Sequence, residues 1–192
     1  ISFKSSGVGN AALAAAQIAW IGPLLGSIAR PFGGKLADRF GGGRITFLCF
    51  LAMIASASVL VISGMAADAH AHHKIGTAQL IGFIVGFILL FLISGIANGS
   101  VYKIIPTVFE HKSRNLTGLD TMGRVIWSRK MSGALIGIAG AVGALGGVAI
   151  NLVLRSSYKA NQSATVAFWV FLGFYVVAAI ITLSLIHISE PT

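Results

Sequence analysis

Arg30 follows an apolar run, Ala11 to Ala29, and precedes the Asp38 turn by about eight residues, roughly 12 Å of helix. An arginine at such depth costs from about 2.5 to more than 10 kcal/mol. It therefore either snorkels its guanidinium to the head groups or faces a cavity, a pathway or a partner. Facing a cavity, its planar fork of donors suits a planar oxyanion, and it keeps its charge at every working pH. A second feature is the glycine series Gly133, Gly137, Gly140, Gly143 and Gly147, which on a helix falls within about 120°. Ala144 shares that stripe and Gly146 lies outside it. Glycine destabilises a helix by about 1 kcal/mol relative to alanine, so the stripe needs a reason. Close helix packing is one, and a bare backbone wall along a narrow pathway is another. Third, Gly95, Asn98 and Tyr102 share a helix face at i, i+3 and i+7. The Asn98 amide can serve an anion or a neighbouring helix. Lys103 follows at the expected membrane boundary, three residues before Pro106, which removes a backbone donor.

Nitrate, nitrite and carboxylates all match the anion that Arg30 would hold. An absence matters as much: Asp38, Asp68, Glu110, Asp120 and Glu190 all fall in expected connections or in the last eight residues. Proton-driven transporters commonly relay through intramembrane Asp, Glu or His. These spans therefore supply no expected proton-coupling site, which points to anion exchange or to coupling elsewhere. Cys49 is a lone cysteine inside an apolar run and reads as packing. His70, His72 and His73 beside Asp68 could bind a transition metal, but their loop setting lacks fixed ligand geometry. With no Ser/His/Asp set, metal cluster or nucleotide loop in the spans, neither an enzyme nor a cofactor or metal is expected. A membrane-embedded structural subunit, with the stripe serving assembly, stays open beside transport.

The elements that must position these residues are membrane helices. The 192 residues are 56% hydrophobic and only 10% charged, against about 25% charged in soluble domains. Five runs can cross a bilayer: Ala11 to Ala29, Ile45 to Ala67, Ile75 to Tyr102, Met131 to Leu154, and Ala164 to about Leu185. They lack the alternation of barrel strands, so the expected fold is all-α. The net charge of +9 could suggest nucleic acid, but the charges sit between apolar runs, where they anchor loops in the lipid bilayer. Lys35, Arg39, Arg44, Lys112, Arg114, Arg124, Arg129 and Lys130 fall in the first and third connections; Lys4, Lys74, Arg155 and Lys159 fall opposite. The positive-inside rule then puts the first and third connections in the cytoplasm. The third, Glu110 to Lys130, could hold an interfacial amphipathic turn around Val125 to Trp127.

The first connection, Arg30 to Arg44, contains GKLADRFGGGR from Gly34, which resembles the cytoplasmic loop signature of the major facilitator superfamily. With GIANGSVYKIIPTVF from Gly95 and SGALIGIAGAVGALGGVAIN from Ser132, the chain up to about Leu183 resembles the nitrate/nitrite porter family of that superfamily. The resemblance implies a partial C-terminal six-helix bundle, with residues 1–184 as helices eight to twelve of a twelve-helix transporter of the inner (plasma) membrane. It implies nitrate and nitrite as substrates, alternating access, and Arg30 as one of two clamping arginines, the other lying in a missing N-terminal half. Gly137, Gly140, Gly143, Gly146 and Gly147 match the family's glycine signature, with Gly140 where some members carry serine. Such a fragment is not expected to transport alone. The start at Ile1 suggests a tail of something cut away, and the octapeptide 185–192 resembles translated sequencing-adapter read-through and is expected to be non-native.

Overall fold

The computed structural model describes residues 20–69 and 76–189, and within them every regular element is helical. The helices are α1 (Ile21–Phe40), α2 (Gly42–Ala69), α3 (Thr77–Arg114), α4 (Thr121–Asn161) and α5 (Thr165–Ser189). Four of them, α2 to α5, are long and apolar enough to cross a membrane. The protein is a multi-pass, all-α membrane protein. Of the expected first span, residues 11–19 lie outside the described residues, as do Lys4, Lys74, His70, His72 and His73.

Three boundaries differ from the sequence expectation. The stretch from Arg30 to Arg44 is not a loop: α1 runs through it and only Gly41 separates α1 from α2. Pro31 fixes a φ that a helix also uses, so a proline here removes one hydrogen bond without ending the helix. Gly41 ends it because it sits at φ 87°, where a side chain would be strained, while its N–H still donates to Ala37 O at 3.0 Å. Arg30 is therefore at the middle of a helix. Likewise the third connection shrinks from Glu110–Lys130 to residues 115–120, turning at Gly118 with φ 87°. Asp120 starts α4 as its N-cap, its carboxylate accepting from Gly123 N at 2.8 Å. Val125 to Trp127 thus belong to α4 and not to a separate interfacial turn. Finally, Asp38, Asp68 and Glu110 stand on helices, near their ends, because exposed charges are compatible with a helix that continues past the lipid.

The lengths explain this. At 1.5 Å per residue α3 and α4 reach about 57 and 62 Å, twice a hydrocarbon core of about 30 Å. Their charged ends project beyond it as helix. Successive helices alternate in direction, so Phe40, Arg114 and Arg124 gather at one end, with Arg155 and Lys159 at the other. The charge asymmetry seen in the sequence survives as a basic end, now carried on helical extensions.

α3 is the central helix, packed on α1, α2 and α4, while α2 also holds α5. One core cluster joins Ile45, Cys49 and Met53 of α2 to Ala97 of α3, with Tyr175 of α5 against it. The other joins Leu60 and Val61 to Phe168, whose ring lies 5.9 Å from Phe83 and 5.8 Å from Phe87. Between α2 and α3, Thr46 Oγ1 and Ser100 Oγ lie 2.7 Å apart, and Ser100 donates to Gly42 O at 3.0 Å. In a dry interior such paired hydroxyls replace the water they lost. At the opposite end Ser163 Oγ donates to Asp68 Oδ2 at 2.9 Å, tying the α4–α5 connection to α2.

Candidate anion-binding site

Arg30 is positioned by a glycine seam. Gly22, Gly26 and Gly33 form the buried edge of α1, and Gly95 and Gly99 of α3 face it. A Cβ on Gly26 would sit 2.9 Å from Phe91 O, and one on Gly95 would sit 2.8 Å from the carbonyl carbon of Gly26. The two parallel backbones therefore touch, which is what small residues four apart allow between membrane helices. At Gly99 the facing atoms belong to Arg30: a Cβ there would lie 2.8 Å from the Arg30 carbonyl carbon and 3.0 Å from its Cα. The absence of a side chain on Gly99 is what lets Arg30 lie against α3.

The Arg30 residue itself is exposed, and among the described residues its guanidinium makes no hydrogen bond or ion pair. One turn beyond Gly99, Lys103 Nζ lies 3.3 Å from Asp38 Oδ2, with side chains 53% and 57% exposed. This pair spans α3 and α1 at the basic end and engages the acid nearest to Arg30 along α1. Lys103 therefore ends in an inter-helix ion pair rather than alone at the head groups. Asn98 and Tyr102, both half-buried, stand on α3 within one turn of Gly99. The structure thus sets Arg30 against Gly99 and pairs Lys103 with Asp38 along one α1–α3 seam, while Asn98 and Tyr102 are placed only by their positions on α3 next to Gly99.

The glycine helix is not part of that seam. α4 packs on α3 and touches α5 lightly, away from α1. A Cβ on Gly133, Gly137, Gly140, Gly143, Gly146 or Gly147 would meet nothing within 4 Å, and all six residues are exposed. Within this chain the stripe is an open face. The apolar side chains flanking it are open too, with Ile138 63%, Val142 63% and Leu145 70% exposed. Asn151 turns its amide back to Gly147 O at 2.9 Å.

Sequence reasoning missed the seam glycines Gly22, Gly26, Gly33 and Gly99, and it missed the Thr46–Ser100 link. The signal for the seam was present in the four-residue spacings of Gly22 with Gly26 and Gly95 with Gly99, the small-xxx-small pattern of close-packed membrane helices. The hydroxyl link had no readable signal, since Thr46 and Ser100 are 54 residues apart. No group of three or more metal-binding side chains occurs among the described residues.

No family model matches the chain. Among curated proteins it is 30% identical over 170 residues to the nitrate/nitrite transporter NarU of Escherichia coli (strain K12), covering 86% of this chain and 35% of that protein. It is 26% identical over 159 residues to the probable nitrate/nitrite antiporter NarK2 of Thermus thermophilus, covering 83% of this chain and 30% of that one. It is 26% identical over 166 residues to the probable nitrate transporter NarT of Staphylococcus haemolyticus (strain JCSC1435), covering 86% and 34%. The chain spans about a third of the length of these relatives. The curated homologues of this chain, matched over most of its length, are thus nitrate/nitrite transporters, and four of its described helices are long and apolar enough to cross a membrane.

Proposed function

We propose that these helices are part of the C-terminal half of a plasma-membrane transporter that carries nitrate and nitrite by alternating access, with Arg30 as this half's anion clamp. The observation that carries the reading is the uncompensated charge of Arg30: it lies on a close-packed seam, exposed, with no counter-ion among the described residues. A cation so placed gains most from an anion that can accept two parallel hydrogen bonds, as nitrate and nitrite can. Asn98 and Tyr102, half-buried on α3 next to Gly99, are the neutral donors assigned to the same anion. The open ribs Gly137, Gly140, Gly143, Gly146 and Gly147 are then a wall that the other half of the transporter covers and slides against.

Exchange is the favoured mode. No Asp, Glu or His stands at mid-helix in α2 to α5 to relay a proton, and one relative is described as an antiporter. This fragment supplies one arginine of the clamp and does not transport by itself. Arg30→Lys in the full-length protein tests the clamp: nitrate binding should fall severely, because a point charge lacks the bidentate fork. Unaltered binding would remove Arg30 from the site. For exchange, vesicles preloaded with nitrite should take up nitrate without a pH gradient. Uptake that strictly requires the gradient, with no counterflow, would refute it.

A further inference from the structure

At the basic end, about one to three turns beyond Lys103 on α3, a cleft of about 660 Å³ lies between α3 and α4. Its outer end is lined by Arg114, Arg124 and Arg129 and its inner end by Pro106, Gly133 and Ile136. Glu110 also lines it and is paired with Arg114 at 3.2 Å, so the outer end keeps two arginines that have no acid partner among the described residues. Arg124 is the unusual one. Its Nη2 donates to Leu116 O at 3.3 Å, but its Nε–H is buried with no acceptor among the described residues. A desolvated charged donor without an acceptor is costly, and native structures rarely retain one unless something else supplies the acceptor. The attraction is not the start of α4, whose Gly123 N–H is already taken by Asp120. At the same level Phe109 and Trp127 meet edge to face at 5.9 Å, an aromatic contact of the kind found where hydrocarbon gives way to head groups.

We propose that this cleft binds an anionic phospholipid, its phosphodiester accepting from Arg124 and Arg129 and an acyl chain lying inward along Pro106 and Ile136. The phosphodiester accepts from the cleft-lining guanidinium N–H groups of Arg124 and Arg129 and balances their excess positive charge. The apolar inner end selects an amphiphile over a free oxyanion. A lipid so held bridges α3 and α4 at the basic end.

The test uses the full-length transporter containing this chain, purified in detergent and titrated with dioleoyl phosphatidylglycerol, phosphatidylcholine or inorganic phosphate while its thermal unfolding is followed. Phosphatidylglycerol should raise the melting temperature saturably. The other two should leave it nearly unchanged. Arg124→Gln and the exposed Arg129→Gln should each weaken the apparent affinity about five-fold, since each removes one arginine from an anionic lipid contact. Arg155→Gln at the opposite end should leave it intact. Should Arg124→Gln not fold, Arg129→Gln alone carries the comparison. The proposal is overturned if the phosphatidylglycerol shift survives Arg129→Gln in full, if phosphatidylcholine matches it, or if inorganic phosphate reproduces it.

Discussion

Adding one methyl group at Gly99 should both loosen the bundle and blunt anion binding. The Cβ of Gly99→Ala would lie 2.8 Å from the Arg30 carbonyl carbon and 3.0 Å from its Cα, whereas carbon atoms rest about 3.5–4.0 Å apart. Both facing atoms are backbone, so no rotamer change relieves the clash, and α1 and α3 must part by roughly 0.5–1.2 Å. Overpacking of this kind costs about 1–3 kcal/mol. Arg30 moves with its backbone, so the same displacement misplaces the guanidinium. Losing one charge-assisted hydrogen bond to the anion, about 1.5–3 kcal/mol, weakens binding by about 10- to 100-fold. Gly34→Ala is the control from the other side of the seam: on α1, its Cβ would meet only Gly99 O at 3.9 Å. The assay is thermal unfolding and nitrate titration of the purified full-length transporter, wild type against both variants. Gly34→Ala should match or exceed wild type in melting temperature, and Gly99→Ala should fall below it. If Gly99→Ala unfolds and binds like Gly34→Ala, the α1–α3 seam is not close-packed and Arg30 is not set by it.

Two other substitutions separate parts of the structure. Ser100→Ala removes the 2.7 Å partner of Thr46 and the donor to Gly42 O, and should cost about 0.5–1.5 kcal/mol per lost bond; a denaturant or thermal series showing no loss would mean the link carries no stability. Gly140→Ala meets no atom within 4 Å inside this chain, and by propensity alone favours the helix by about 1 kcal/mol. A loss of stability or of nitrate transport in the full-length protein therefore measures contacts from outside these helices, and full retention of both would show that the stripe is uncovered.

Among the described residues, the helices α2 to α5 and their apolar cores could be read from the sequence because an uninterrupted apolar run of about 20 residues has few other uses, whereas α1 extends well past the expected first span. The helix ends could not be read. Charged residues suggest connections, but Lys35, Asp38 and Arg39 on α1, and Glu110 and Lys112 on α3, are helical. Charge says where the lipid stops, whereas the helix stops only where capping or a positive φ ends it, at Gly41 and near Gly118 and Asp120. For the candidate site, type and spacing point to Arg30, Asn98 and Tyr102, and of these the structure sets Arg30 against Gly99. The two glycine sets illustrate the limit. Gly133 to Gly147 repeats more insistently than Gly22, Gly26, Gly95 and Gly99, yet the weaker pattern makes the contact and the stronger one faces open space. Spacing identifies a face that can be approached closely; which partner approaches it is a property of the assembly.

That division bears on how the site responds to pH. Arg30 keeps its charge because a guanidinium does not deprotonate in proteins. Asp38, the acid nearest to it along α1, is already in contact with Lys103 at 3.3 Å. An exposed pair of this kind is worth at most about 1 kcal/mol, so it ties the α1 and α3 ends without governing the charge at Arg30. No histidine side chain is described near the seam, the described His111 standing in the last turn of α3. The electrostatic part of nitrate binding should therefore be level across roughly pH 5.5 to 8.5, where histidine alone among ordinary side chains changes charge. Nitrate titrations of the full-length protein at several pH values in that range measure it, with nitrate itself ionised throughout. A tenfold change in affinity across the range would mean that a titrating group shares the anion with Arg30, and proton coupling would then have to be located beside this arginine.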